Sequence, residues 1–169
     1  MWSAERDTEV TTSFGSIRVF NATGSDLNLG LIRDIAESCR PDYPLKKASE
    51  LRIFSDMGVV QGGTHGWQLS SDPASGRGLT ITNDYQSVSV IPLGWTSLVK
   101  TYESAYGGVP PLNGLSSQTY ATLNIAHELC GHNIPRSGDI SNETPDPEKT
   151  AQIYERVLYT QLLGRTLIK

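Results

Sequence analysis

Residues 117–132 read SQTYATLNIAHELCGH, and this stretch decides how the rest of the chain is interpreted. Apolar residues recur through it at helical spacing, and the serine at position 116 or 117 can cap its first turn. We therefore expect a helix that runs to about His132. This helix carries two of the three histidines in the 169-residue chain.

The end of the expected helix contains the pattern His-Glu-x-x-x-His, formed by His127, Glu128 and His132. Two neutral imidazoles on one side of a helix can both ligate Zn²⁺, and a glutamate beside the first can act as a base on a water molecule. In the shorter form, His-Glu-x-x-His, the histidines lie about 400° apart along the helix and share one side. Here one more residue separates them. A regular α-helix would place the two rings about 140° apart, too far round for one metal ion.

The additional residue predicts an irregular backbone between His127 and His132. A single π-type turn would bring the two rings back to one side, and such turns often occur at functional sites. Gly131 makes a local departure from α-helical geometry easier. The alternative is that the helix ends near Cys130 and that His132 comes in from the polar loop expected over residues 133–145.

A C-terminal helix is predicted by Asp146 at the N-cap and Pro147 at the first helical position. Glu148 and Glu155 are seven positions apart and share one side of this helix, with Ala151 between them leaving room for a neighbour. Either carboxylate could complete a zinc site with the two histidines.

The residues His127-Glu-Leu-Cys-Gly-His132 resemble the H-E-L-L-G-H motif of the dipeptidyl peptidase III family of zinc peptidases. The C-terminal helix resembles the third-ligand helix of small gluzincin-type peptidases, including bacterial effector and polymorphic-toxin metallopeptidases. The resemblance implies His127 and His132 as Zn²⁺ ligands and Glu128 as the general base. It also implies Glu148 as the third ligand and Glu155 as a partner for a histidine nitrogen.

Several other residues are open alternatives. The rival third ligands are Glu155, Asp139 and Glu143. Cys130 is expected to be a small core residue rather than a ligand, and Cys39 and Cys130 could be bridged or reduced. A transition-state role for His65 is a weak hypothesis. The candidate donors to a developing oxyanion, among which the sequence does not choose, are Tyr159, Tyr154 and Tyr120.

The whole chain, residues 1–169, is expected to form a single α+β domain. Alternating segments between residues 15 and 91 predict a small antiparallel or mixed sheet, packed on the histidine helix and the C-terminal helix. With the resemblance, this architecture implies a zincin-like fold. An extended peptide could pair with the edge of such a sheet, and residues 88–91 are the strand predicted to do so.

Composition excludes several functional classes. The formal net charge is −4 and the pI is near 5.3, which argues against a nucleic-acid partner. No transmembrane segment or signal peptide is visible, so we expect no membrane partner and a protein that is cytoplasmic or exported by a leaderless route. The function predicted is zinc-dependent hydrolysis of a peptide or protein substrate. The alternative is a non-enzymatic binding or structural domain with a structural or vestigial metal site, and hydrolysis of a different substrate class is a further rival.

Overall fold

A computed structural model of the chain describes residues 6–54, 58–62, 66–70, 79–92, 117–138, 147–162 and 167–168. The strands are β1 Arg6–Thr12, β2 Gly15–Ala22, β3 Ala48–Phe54, β4 Gly58–Gly62, β5 Gly66–Ser70, β6 Leu79–Thr82 and β7 Gln86–Pro92. The helices are α1 Leu29–Ser38, α2 Ser117–Glu128, α3 Ile134–Gly138 and α4 Pro147–Leu162, and a π-helical turn, Leu129–Asn133, joins α2 to α3. None of the described helices is long and apolar enough to cross a membrane.

The main sheet has five strands in the order β1-β2-β3-β7-β6. The three central strands are parallel, whereas β1 and β6 pair antiparallel to their neighbours at the two edges. Strands β4 and β5 form a separate antiparallel pair. The α+β class and a mixed sheet are therefore confirmed. Strands β2 and β3 can pair in parallel because the segment between them, which contains α1, is long enough to return the chain to the start of the next strand.

The core lies between one face of this sheet and the helices. Helix α1 buries Leu31, Ile32 and Ile35 completely, as its helical spacing requires. They belong to one cluster that also contains sheet residues such as Leu51, and residues of the histidine-bearing segment such as Leu129. The segment with the histidine motif is thus built into the main core.

The prediction that residues 88–91 form the peptide-pairing strand is wrong. These residues lie in β7, which pairs with β3 on one side and β6 on the other. Among the described strands, β6 is the outermost one beside the histidine helix. The alternation of apolar and polar residues within a hairpin does not indicate which of its two strands pairs with the rest of the sheet. Here β3 pairs with β7, so β6 is the outer strand.

The main-chain N–H and C=O groups of Thr80 in β6 point away from β7. Asn83 N–H donates to Gln86 O at 2.9 Å, so alternate residue pairs of the hairpin place Thr80 opposite Ser89 without ladder hydrogen bonds. In agreement with this, the Thr80 carbonyl accepts a hydrogen bond from Arg136 Nη1 at 3.3 Å. The edge of β6 that pairs with no other described strand therefore carries the main-chain groups of Thr80, of which the carbonyl is bound by Arg136.

Residues 133–138 were expected to begin a loop, and the structure instead continues the helix through them. The π-helical turn passes directly into α3, which ends at Gly138. Pro135 follows the π-helical turn directly, where the regular i to i−4 hydrogen-bond pattern is already interrupted, so its missing N–H costs less there than in a regular helix. Helix α4 begins at Pro147, as predicted.

Two long-range links hold α1 at its ends. Cys39, just after the helix, forms a disulfide with Cys130 in the π-helical turn, with a Cα–Cα distance of 5.6 Å. Before the helix, Leu27 forms an antiparallel bridge with Ile168. Asn28 N–H also donates to Leu167 O at 2.6 Å. The disulfide resolves the alternative that the sequence left open.

Candidate metal centre

The π-helical turn lies inside the histidine motif and changes where the second ring points. Ile134 N–H donates to Leu129 O, five residues earlier, which inserts one residue into the helical turn. As a result, the ring centroids of His127 and His132 are 5.3 Å apart. The prediction of an irregular backbone between the two histidines is confirmed, in the form of a π turn and not of a helix end.

Gly131 allows the turn to pack directly against α4. A Cβ atom at this position would lie 2.3 Å from Ala151 Cβ and 2.9 Å from Ala151 Cα, both closer than real atoms approach. Only glycine permits this backbone separation. Because Ala151 lies between Glu148 and Glu155, the same contact brings both carboxylates to the histidines.

Glu148 lies against both imidazoles. Its Oε1 is 2.8 Å from His132 Nε2, and its Oε2 is 3.3 Å from His127 Nε2. One ligand atom from each of the three residues lies within 4.8 Å of the other two. Two imidazole nitrogens and a carboxylate oxygen are a donor set that Zn²⁺ accepts, so these residues fit the metal. The Glu148 side chain is 64% exposed, which leaves the cluster accessible.

Glu155 is buried and hydrogen-bonds His127 Nδ1. A carboxylate on Nδ1 fixes the ring and leaves Nε2 as the ligand atom, the usual arrangement behind a metal-bound histidine. Burial lowers the pKa of His127, but the hydrogen bond to Glu155 and the charges of Glu155, Glu128 and Glu148 outweigh it and raise the pKa above its ordinary value. The partner role expected for Glu155 has the required geometry.

Glu128 is buried at the end of α2 and held from the sheet side. Thr80 Oγ1 donates a hydrogen bond to Glu128 Oε2 at 2.6 Å. Burial raises the pKa of the Glu128 carboxyl, and the neighbouring His127 and the Thr80 hydrogen bond partly oppose this rise. A carboxylate with few polar neighbours beside a metal-ligand cluster can accept a proton.

The alternative residues fall into two groups. Cys130 is buried and bonded to Cys39, so its sulfur is not a ligand here, and Tyr154 is half-buried against the main core. The remaining alternatives lie outside the described part of the structure: His65, Asp139, Glu143, and the side chains of Tyr120 and Tyr159.

The sequence did not predict the buried polar residues that hydrogen-bond the π-helical turn to the sheet. Asn133 is fully buried at the end of the π-helical turn, and its Nδ2 donates to the carbonyls of Glu50 and Ser87 at 3.1 and 3.0 Å. Its Oδ1 accepts from Ser49 Oγ at 2.6 Å. A signal was present, because both strands of the β6–β7 hairpin alternate small hydroxyl residues with apolar ones.

Asn124, one helical turn before Glu128, is a second unpredicted polar residue. It is buried, and its Nδ2 has no hydrogen-bond partner among the described residues. It therefore places an unused donor on the same side of α2 as Glu128.

Comparison with protein-family models, curated proteins and solved structures gives no match for the chain. The functional argument therefore depends on the geometry of the site.

Proposed function

We propose that the chain is a zinc-dependent peptidase of zincin-like architecture. In this proposal His127, His132 and Glu148 hold Zn²⁺, and Glu128 is the general base. The observation that carries it is the π-helical turn, which brings two histidines five positions apart to within ligand distance of one carboxylate. A backbone irregularity of this kind is uncommon and tends to mark functional sites.

The chemistry divides between the metal and the side chains of the chain. When bound, Zn²⁺ supplies Lewis-acid activation of a water molecule and of a substrate carbonyl. Glu128 takes a proton from that water and delivers it to the leaving amine. Glu155 keeps His127 in the orientation that presents Nε2 to the cluster. Glu148, on a different helix, couples the position of α4 to that of α2.

The outer edge of β6, which pairs with no further described strand, favours an extended peptide as the substrate. It lies beside the π-helical turn. Thr80 turns its main-chain N–H toward this edge, its carbonyl accepts from Arg136 Nη1, and its hydroxyl contacts Glu128. A peptide that paired with this edge would run past the general base with its carbonyls in register. This replaces β7 by β6 as the pairing strand.

The deciding experiment compares wild type with Glu128→Gln. Gln keeps the size of the side chain but cannot take up the proton, so peptide cleavage should fall by about 10²–10⁴-fold. Zinc content, measured by elemental analysis, should remain near one ion per chain in both proteins. The assay uses a fluorescence-quenched peptide library, with the metal-free protein as the blank.

Two results would contradict the proposal. Full activity in Glu128→Gln would show that Glu128 is not the general base. A wild-type protein that binds zinc with four protein ligands and cleaves nothing would instead support a structural metal site, because a closed zinc site has no open position for substrate.

A further inference from the structure

A buried chain of hydrogen bonds runs from the π-helical turn through the sheet to Glu128. Its members are Asn133, Ser89 and Thr80, here called the hydroxyl relay. Asn133 and Ser89 are fully buried and Thr80 is 9% exposed. Three buried polar side chains beside the helix with the histidine motif are unexpected, because an apolar side chain would fill each position without needing a hydrogen-bond partner.

The relay is continuous. Asn133 Nδ2 lies 2.9 Å from Ser89 Oγ, and Ser89 Oγ lies 2.8 Å from Thr80 Oγ1. Thr80 Oγ1 then lies 2.6 Å from Glu128 Oε2. Each link is within ordinary hydrogen-bond distance.

The direction of the two hydroxyl hydrogen bonds is fixed at the carboxylate end. The two hydrogens of Asn133 Nδ2 face three acceptors, the carbonyls of Glu50 and Ser87 and Ser89 Oγ, so Ser89 Oγ shares a hydrogen with a carbonyl. A carboxylate can only accept, so the Thr80 hydroxyl proton goes to Glu128. The Ser89 proton is then left for Thr80 Oγ1. Both hydroxyls therefore donate toward Glu128, and the chain has a single polarity.

We infer that Thr80 and Ser89 are positioning residues for the general base. The inference rests on the proposed function and deepens it. Among the described residues, only Thr80 hydrogen-bonds the Glu128 carboxylate, and it engages Oε2 alone. This contact holds the carboxylate in one orientation and leaves the other oxygen, Oε1, to receive a proton. A base held in its reactive orientation reacts faster than one that must find it.

The test measures kcat, KM and zinc content for Thr80→Val, Thr80→Ser and Ser89→Ala, with the best-cleaved peptide of the quenched library as the probe. Thr80→Val removes the donor while keeping the shape, and kcat should fall by about 10–100-fold, as for other residues that orient a reactive group. KM should stay within about twofold and zinc should be retained, because Thr80 hydrogen-bonds none of the three proposed ligands. Thr80→Ser restores the hydroxyl and should recover most of kcat.

Ser87→Ala is the matched control for Ser89→Ala. Both serines lie on the same face of β7 and are fully buried, and each hydroxyl is 2.8 Å from a threonine hydroxyl of β6. Ser87 is paired with Thr82, which has no hydrogen bond to Glu128. Ser89→Ala should lower kcat, whereas Ser87→Ala should not.

A second readout does not depend on activity. In the metal-free protein, the Thr80 hydroxyl proton should exchange slowly and be visible by NMR, with a nuclear Overhauser contact to the Ser89 hydroxyl. Ser89→Ala should speed its exchange, and Ser87→Ala should leave it protected.

The possible failures are distinguishable. An active wild type in which Thr80→Val keeps its kcat, or in which Ser87→Ala falls as far as Ser89→Ala, overturns the positioning role alone. A zinc-loaded wild type that cleaves no peptide overturns the proposed function and the positioning role with it.

Discussion

The proposed metal site requires a glycine at position 131, because any side chain there would clash with Ala151. The Gly131 backbone lies against Ala151, and a methyl group at this position would meet both Ala151 Cβ and Ala151 Cα. The π-helical turn and α4 would have to separate. The two histidines lie on the helical segment that contains Gly131, and Glu148 lies on α4 with Ala151.

We expect Gly131→Ala to destabilise the protein by about 1–3 kcal/mol, the usual range for overpacking. Zinc affinity should fall as well, because Glu148 moves away with α4. Gly138→Ala is the control, since a methyl group there meets nothing within 4 Å. It should be neutral or stabilising by up to about 1 kcal/mol. Urea unfolding and zinc titration measure both effects, and equal behaviour of the two variants would contradict the explanation.

Glu148 and Glu155 should respond differently to substitution. Glu148→Ala removes a proposed ligand, so zinc should be lost in competition with a chelator. Glu155→Ala removes only the partner of His127 Nδ1 and should weaken zinc binding by about 10–100-fold. Glu155→Gln keeps an oxygen that can accept from Nδ1–H and should recover much of this affinity. Loss of zinc in Glu155→Ala with retention in Glu148→Ala would make Glu155 the ligand.

At the scale of elements, the disulfide between Cys39 and Cys130 fastens the π-helical turn to α1. It closes a segment of 91 residues, and cross-links of this length restrict the unfolded chain strongly. Cys130, which supplies one of the two sulfurs, lies between His127 and His132 in sequence. The disulfide therefore acts on the same turn that brings the two imidazoles together.

Reduction should lower the free energy of unfolding by about 2–4 kcal/mol. The measurement is urea unfolding with and without reductant, in the presence of EDTA so that bound metal does not contribute. The double variant Cys39→Ala/Cys130→Ala is the control and should be insensitive to reductant. An identical unfolding midpoint for the oxidised and reduced wild-type protein would show that the bridge adds no stability.

The elements that sequence predicts well are those set by local rules. The spacing of His127 and His132 predicts an irregular backbone, although it leaves a π turn and a helix end as alternatives, and Pro147 predicts the start of α4. Strand β1 was missed because its residues are mostly polar, as an edge strand with one solvent-facing side allows. The roles of Thr80 and Asn133 were missed because they depend on which strands meet beneath the turn, and pairings between distant segments leave no periodic signal.

At the scale of the whole molecule, the proposed zinc site would make protons and zinc compete for the same cluster. The pKa of His127 in the folded, metal-free protein lies above its ordinary value of 6.5. The stabilisation due to the charged imidazolium is therefore fully present below about pH 6.5 and is lost as the pH rises through the raised pKa. Zinc requires the neutral ring, so its binding releases a proton.

We therefore expect the gain in melting temperature on adding zinc to be larger at about pH 8 than at about pH 6. The metal-free protein should show the opposite trend and lose stability over the same interval. Thermal unfolding with EDTA and with excess zinc tests both statements. His127→Gln should flatten the metal-free profile near neutral pH, and an unchanged profile in that variant would assign the effect to another group.

The bridge between Leu27 and Ile168 joins residues separated by most of the sequence, and it has a consequence for biosynthesis. Translation proceeds from the N-terminus at about 5–20 residues per second, and a contact forms only after both of its partners have left the ribosome. The histidines emerge before Ile168, and the bridge at the Leu27 end of α1 forms only when that residue follows. The helix that backs the π-helical turn thus receives this support only after the two histidines and residue 168 have been made.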